Sequence, residues 1–202
     1  DGAPDIDIGD ASITEGGTLS FAVTLSNPST TDIVITFLAT DGTATADDYT
    51  GTPVEITIPA GSIAATVNIP TTDDAVDELD ETVNLAVDSI AAGSVGDSSD
   101  TAAGTIVDDD GAPSLSIEDA SVVEGSDLVF NITLSNASLQ DITMTFTPMG
   151  DTATSADYDG SAVHVTIPAG DTTAIVTVPT LEDDVGEPDE TLILSVTSVD
   201  VG

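Results

Sequence analysis

Hydrophobic and polar residues alternate with a period of two along most of this chain. Leu19, Phe21, Val23 and Leu25 alternate with small and polar residues, and Gly, Pro, Asn and Asp separate such stretches. This pattern is typical of β-strands buried on one face. The same alternation recurs at Ile33, Ile35 and Phe37, at Val54, Ile56 and Ile58, at Ile63, Ala65, Val67 and Ile69, and at Val83, Leu85 and Val87.

Short motifs return at a constant distance along the chain. Asp10 of the motif D-A-S-x-x-E-G returns as Asp119, which is an offset of 109 residues. A fixed offset over many matches indicates a tandem repeat. The further matched segments are 24–27 with 133–136, 43–45 with 152–154, 48–49 with 157–158, 58–61 with 167–170, and 78–82 with 187–191.

Each repeat holds about seven predicted strands in ~100 residues, which is typical of a two-sheet sandwich. The sequence therefore predicts an all-β protein of two tandem seven-stranded immunoglobulin-like sandwiches. The predicted domains are residues 1–111, beginning with the tail of a preceding linker, and residues 112–202, lacking the last strand and its Asp triplet. Because residues 1–4 repeat at 110–113, we expect the chain to be a piece of a longer array.

The chain carries 38 Asp and Glu residues and no Lys or Arg. Nucleic acids and anionic membrane surfaces are excluded as partners, since both require basic residues. No apolar run approaches the ~18 residues of a membrane span, so direct membrane insertion is not expected. Two carboxylates ~4 Å apart repel by roughly 1 to 4 kcal/mol at solvent-like to surface-like dielectric. Clustered acids in this chain therefore need a cation from outside.

The acids concentrate where predicted strands end, at 47–48, 73–81 and 108–110 in the first repeat. Calcium prefers six to eight oxygen ligands at ~2.3 to 2.6 Å from flexible loops, whereas magnesium takes fewer protein ligands in a stricter octahedron. Zinc and copper prefer His or Cys, and the chain has one His and no Cys. The clusters therefore favour calcium.

The order of these motifs resembles the Calx-beta domain, in two copies over nearly the whole chain. The resemblance is carried by Glu15-Gly16, by Thr43-Ala44-Thr45 with Asp48-Tyr49, by I-P-A-G at 58–61, by the acids of 73–81 and by I-V-D-D-D at 106–110. It implies a seven-stranded sandwich whose loops at one end hold several calcium ions.

Carried over position by position, the resemblance implies metal ligands in both repeats. Glu182 stands where the first repeat has Asp73, and the second repeat lacks the closing Asp triplet, so we expect it to bind fewer ions or bind them more weakly. Calcium is expected mainly in the first repeat and at the interdomain junction. The implied ligands are Glu15, Asp48, Asp73, Asp74, Val76 through its carbonyl, Glu78, Glu81, Asp108, Asp109 and Asp110, and then Glu124, Asp157, Glu182, Asp183, Glu187 and Glu190.

The chain is expected to act as a calcium-stiffened spacer or extender of a long extracellular surface or adhesin protein. That protein is expected to be bacterial and secreted. Its expected partners are neighbouring repeats of the same chain, and no external ligand is assigned. The alternative is a regulatory calcium-sensing module of a larger protein. An enzyme such as a glycosidase with paired carboxylates is not expected, because every candidate pair belongs to the repeated clusters and Trp is absent. His164 lies on a predicted strand facing solvent, which argues against catalysis.

Overall fold

The computed structural model of the chain describes residues 2–184 and 186–202. Within these ranges it consists of strands and connecting loops, without a helix. The chain divides into two compact units, Asp1–Asp74 with Leu79–Asp109 and Ala75–Glu78 with Asp110–Gly202. The predicted all-β architecture of tandem sandwiches is confirmed.

The first unit packs a three-stranded sheet, in the order β1-β3-β6, against a five-stranded sheet, in the order β2-β9-β8-β4-β5. All neighbouring strands are antiparallel except β2 and β9, which are parallel. The strands of the first repeat are β1 (Ile6–Ile8), β2 (Ala11–Thr14), β3 (Thr18–Leu25), β4 (Ile33–Asp41), β5 (Val54–Ile58), β6 (Ala64–Pro70), β7 (Val76–Asp77), β8 (Glu81–Ala92) and β9 (Thr101–Val107).

The core of the first unit follows the alternation read from the sequence. Leu19 and Phe21 on β3 are fully buried, as are Phe37 on β4 and Leu85 on β8. Each large side chain removed from water in this way contributes about 1.5 to 3 kcal/mol. The chain changes sheets between β1 and β2, at Gly9 and Asp10, so one stretch near the N-terminus supplies an edge to both sheets.

The second unit packs two three-stranded sheets, in the orders β10-β11-β15 and β14-β13-β16. The strand registers of the second unit match those of the first. Thr18 lies opposite Pro70 in the first unit, and their counterparts Asp127 and Pro179 lie opposite each other in the second. Its core contains Phe130, Ile132, Met144 and Phe146. The strands of the second repeat are β10 (Leu115–Ile117), β11 (Asp127–Leu134), β12 (Ala137–Ser138), β13 (Ile142–Gly150), β14 (Val163–Ile167), β15 (Thr173–Pro179) and β16 (Leu192–Val201).

The two sandwiches differ at one edge. In the first unit β9 pairs with β8 on one side and with β2 on the other. In the second unit β16 pairs with β13 alone within the described residues. Residues 120–123, which correspond to β2, form no strand.

Candidate metal centre

Backbone hydrogen bonds bring three acidic loops of the first unit together. The Glu15 N–H donates to the carbonyl of Val107 at 3.0 Å, and the Gly16 N–H donates to the carbonyl of Thr72 at 2.9 Å. Glu15 is thereby held beside the acids that begin at Asp73 and those that begin at Asp108. Strand pairing thus converts three separate stretches of sequence into one cluster.

Gly16 allows the first of these loops to approach the second closely. Its φ is 70°, in the left-handed region where glycine has no steric cost. A Cβ at this position would lie 2.6 Å from the Cβ of Asp73. In the second unit Gly125 has a φ of 78°, and a Cβ there would lie 2.5 Å from Oε2 of Glu182. Glu182 therefore takes the place of Asp73 against the same turn.

Residues 2–184 and 186–202 contain four groups of three acidic residues. In each group one carboxylate oxygen from each residue lies within 4.8 Å of an oxygen from the other two residues. Two ligands on opposite sides of a calcium ion are separated by about twice the ~2.4 Å bond length, so each group can share one ion. The groups are Glu15, Asp73 and Asp109; Glu15, Asp74 and Asp110; Asp48, Glu78 and Glu81; and Asp157, Glu187 and Glu190.

Most of the predicted ligands are gathered in these groups. In the first repeat Asp108 is the one predicted acid outside them within the described residues. Val76 lies in β7, and its predicted role uses a backbone carbonyl. In the second repeat Glu124, Glu182 and Asp183 fall outside the groups.

Threonines orient one acid in each repeat. Asp48 Oδ2 accepts hydrogen bonds from the Thr45 backbone N–H at 2.6 Å and from the Thr45 hydroxyl at 2.8 Å. Asp157 Oδ2 accepts the same two bonds from Thr154, at 2.6 and 2.8 Å. These threonines were not among the predicted site residues. The signal that could have identified them is a threonine three residues before an aspartate, because that spacing suits a side chain bonding back to a turn.

Charge repulsion acts within the second repeat's group. Partial desolvation raises the pKa of Glu187, and the charges of Asp157, Asp183 and Glu124 raise it further. Desolvation and the charge of Asp157 likewise raise the pKa of Glu190. The hydrogen bonds from Thr154 lower the pKa of Asp157. Glu124 and Asp183 therefore lie close enough to act on this group electrostatically, although they are not members of it.

The donor set fits a hard cation. Oε1 of Glu15 and Oδ2 of Asp110 are shielded from solvent. The chain contains no Lys or Arg. His164 is exposed on β14, where its Nδ1 lies 3.0 Å from the Thr145 hydroxyl. The groups offer carboxylate oxygens alone, which suit calcium or magnesium better than zinc.

The chain belongs to the Calx-beta domain family, whose model matches residues 10–110 and again residues 108–202. The predicted resemblance is thereby confirmed. Domains of this family are calcium-binding modules, and they act in binding and regulation rather than in catalysis. A search of curated proteins finds no match.

Among solved structures, the chain is similar to CBD12 from CALX1.2, with 19% identity over 98% of this chain and 81% of that one. It is also similar to the calcium binding domain CBD12 of CALX1.1, with 19% identity over 88% and 76% of the two chains. The TM-score is 0.47 in both comparisons. Likeness at this level adds nothing about the site.

The part of the chain that the structure describes has no helix long and apolar enough to cross a membrane.

Proposed function

We propose that this chain is a calcium-binding tandem module that acts as a calcium-stiffened spacer or extender of a long extracellular surface or adhesin protein. One observation carries the proposal. Carboxylates from separate loops lie within 4.8 Å of one another, in a chain that has 38 acids and no Lys or Arg. Such groups oppose folding until a cation neutralises them.

The proposed mechanism begins with the loops. A calcium ion bound by Glu15, Asp73 and Asp109 would replace mutual repulsion by attraction to a common positive charge. Binding to the folded state alone stabilises that state by RT ln(1 + [L]/Kd). For sites with Kd of roughly 10⁻⁴ to 10⁻³ M, as in extracellular modules, millimolar calcium gives substantial occupancy. The acid segment ending at Asp110 would become rigid, and the short linker 111–113 would transmit that rigidity along an array.

The setting of this function is part of the proposal. The partners are neighbouring repeats of the same chain, and the compartment is extracellular or at the cell surface. Calcium at millimolar concentration outside the cell suits weak, multiple sites of this kind. The extreme negative charge of the chain keeps such a spacer soluble and discourages association with other anionic surfaces.

Small-angle X-ray scattering in calcium and in chelator, at matched ionic strength, tests the stiffening. Calcium is expected to narrow the distribution of maximum dimensions. The Asp109→Asn variant is expected to lose most of this response, whereas Asp88→Asn, which removes one exposed acid outside the groups, should retain it. An unchanged distribution in the parent chain would reject the spacer mechanism.

A second candidate is a regulatory calcium sensor, which the binding and regulatory character of the family favours. Calorimetric titration of calcium separates the two candidates. Submicromolar affinity would support a sensor, because cytosolic sensors work at roughly 10⁻⁷ to 10⁻⁵ M. Affinity of tens of micromolar or weaker would support the spacer.

A further inference from the structure

Residues 45–48 form a closed turn in which a threonine and an aspartate exchange hydrogen bonds. The Asp48 N–H donates to the Thr45 carbonyl at 3.2 Å, and the Thr45 N–H donates back to Asp48 Oδ2 at 2.6 Å. The same spacing, a threonine followed three residues later by an acid, forms the capping box at the start of a helix. Here the chain continues into the bridge between Tyr49 and Thr71 instead of a helix.

The threonine hydroxyl has a defined direction in this turn. Its oxygen accepts the Asp47 N–H at 3.4 Å and its proton is donated to Asp48 Oδ2 at 2.8 Å. Oδ2 therefore receives two hydrogen bonds, both from Thr45, and a carboxylate oxygen has two lone pairs to offer. Oδ1 lies outside these bonds, and it is left as the oxygen that Asp48 can present to a cation.

The backbone of the aspartate is fixed as well. The Asp48 carbonyl accepts the Thr72 N–H at 2.8 Å, one residue before Asp73. Asp48 itself is half-buried, and the next residue, Tyr49, is buried. Because both the main chain and one carboxylate oxygen are held, the Asp48 side chain has little freedom to turn away from its neighbours.

The second repeat builds the same turn from different intervening residues. The Thr154 N–H and hydroxyl donate to Asp157 Oδ2 at 2.6 and 2.8 Å. The Thr154 hydroxyl oxygen accepts the Ala156 N–H at 3.2 Å, and the Asp157 carbonyl accepts the Leu181 N–H at 2.8 Å. Ala and Asp stand between the two partners in the first repeat, and Ser and Ala in the second. The arrangement therefore depends on the threonine and the aspartate.

Both aspartates lie where other carboxylates repel them. Asp48 shares a group with Glu78 and Glu81, and Asp157 shares one with Glu187 and Glu190. Without an ion, an unrestrained aspartate would lower this repulsion by rotating outwards. Hydrogen bonds to a charged oxygen are stronger than those between neutral groups, so the two bonds from each threonine oppose that rotation.

We propose that Thr45 and Thr154 are positioning residues for calcium, each holding Oδ2 of its aspartate in the turn so that Oδ1 is presented to the ion. This inference rests on the proposed calcium binding. The threonines are not ligands. They raise the affinity because the aspartate is already in place in the metal-free chain, and preorganisation of this kind lowers the cost of binding.

The two tyrosines allow each repeat to be followed separately. Tyr49 follows Asp48 directly and Tyr158 follows Asp157, and the chain has no other tyrosine and no tryptophan. Terbium is a hard cation with a preference for oxygen ligands, and its luminescence is excited through a nearby tyrosine. The Tyr158→Phe chain therefore reports on the first repeat and the Tyr49→Phe chain on the second. Displacement of terbium by calcium then gives a calcium affinity for each repeat.

The second repeat gives the simpler titration, because it contributes one carboxylate group among the described residues. Thr154→Val removes the hydroxyl but keeps the branched shape, and residue 154 is exposed, so no core packing changes. Calcium affinity read through Tyr158 should fall about fivefold, which corresponds to one hydrogen bond of ordinary strength. Thr154→Ser keeps the hydroxyl and should stay within about twofold of the parent.

The matched control is the same substitution in the other repeat. Thr45→Val should weaken the calcium affinity read through Tyr49 and leave the affinity read through Tyr158 unchanged. It also repeats the test independently, should Thr154→Val prevent the second unit from folding. Circular dichroism and thermal unfolding in chelator show whether each variant is folded.

The outcomes separate positioning from a structural role and from the metal function itself. A residue that only stabilises the turn would lower the unfolding temperature in chelator without changing the calcium affinity of the folded chain. Valine variants with the parent affinity, or serine variants as weak as the valine variants, overturn the inference. Absence of a saturable terbium signal from both parent reporter chains would reject the proposed calcium binding, and this inference with it.

Discussion

Residues 11–14 and 120–123 occupy equivalent positions in the two repeats but have different structures. The sequence A-S-I-T forms strand β2, whereas A-S-V-V forms no strand, although valine is enriched in strands just as isoleucine and threonine are. The difference lies in the neighbour, because β2 pairs with β9 and residues 120–123 have no equivalent of β9 to pair with among the described residues. Strand structure at this edge is therefore determined by its partner and not by its own sequence.

The largest effect is expected from expelling β9 from the first unit. In Gly104→Val the new side chain would meet Phe21 and Leu19 at less than normal contact distance. The first unit should lose about 3 kcal/mol of stability, and amide hydrogens of Ala11–Thr14 should exchange faster, as expected for residues 120–123. Hydrogen-exchange mass spectrometry measures both. The control is Gly111→Val, where a Cβ meets nothing within 4 Å. Unchanged exchange at Ala11–Thr14 would contradict the dependence on β9.

A smaller effect separates two equivalent core leucines. Leu85 is fully buried beside β9, and its counterpart Leu194 is half-buried. Leu85→Ala should cost about 3 kcal/mol and Leu194→Ala about 1 kcal/mol, because the loss scales with the area and cavity removed. Urea unfolding, with each unit followed by hydrogen exchange, gives the two values. Equal losses would contradict the dependence on the different burial of the two leucines.

The equivalent tyrosines of the two repeats, Tyr49 and Tyr158, differ in the hydrogen bond that the hydroxyl makes. Tyr49 donates a hydrogen bond to Asp41 Oδ1 at 2.7 Å, whereas the Tyr158 hydroxyl accepts one from the Gly150 N–H at 2.6 Å. Burial and the contact with Asp41 raise the pKa of Tyr49 to about 12. Because the folded state favours the neutral phenol, stability should fall as pH rises from about 10 towards 12.

Ultraviolet titration of the phenolate measures the pKa of Tyr49. The chain has only two tyrosines, so the Tyr49→Phe variant assigns the titration step to one of them. The step near pH 12 should disappear in Tyr49→Phe, which should also lose about 1 kcal/mol of stability with the hydrogen bond. In Asp41→Asn the step should move to lower pH. A titration that Tyr49→Phe leaves unchanged would refute the assignment.

The smallest expected effect is a pH dependence of the metal-free second unit. The pKa values of Glu187 and Glu190 are raised, so these groups hold their protons more tightly in the folded state. Their contribution to stability is present below the unfolded pKa and is lost as pH rises through the folded pKa. Asp157, with its pKa lowered, acts in the opposite direction: its contribution is present above the unfolded pKa and is lost as pH falls through the folded pKa.

Because a raised pKa at Glu187 makes the folded state lose stability as that group ionises, Glu187→Gln should reduce the loss of stability of the chelated second unit as pH rises from the acid side towards neutrality. Denaturant unfolding across that range measures the slope of stability against pH. The matched control is Asp200→Asn, another exposed acid of the second repeat. A slope unaffected by Glu187→Gln would show that repulsion in this group does not influence stability.

The sequence predicts the cores because burial on a strand follows a local alternation. Leu19, Phe21 and Phe37 are buried as that alternation requires. The division of the first edge into β1 and β2 was not predictable in this way, because it depends on which sheet offers a partner. The clustering of acids at strand ends predicted cation sites, and the resemblance to the Calx-beta domain supplied the individual candidate ligands. Neither could identify Thr45 and Thr154, whose role depends on turn geometry, and the complete ligand set stays a prediction.

Thermal unfolding of the whole chain in calcium, in magnesium and in chelator, at matched ionic strength, tests the central claim most directly. Calcium should raise the unfolding temperature markedly, and more for the first repeat, whose residues form three of the four carboxylate groups. Magnesium should raise it less, and Asp109→Asn should reduce the calcium response of the first unit. Superimposable curves in calcium and chelator would contradict the claim that these carboxylates are neutralised by a bound metal ion.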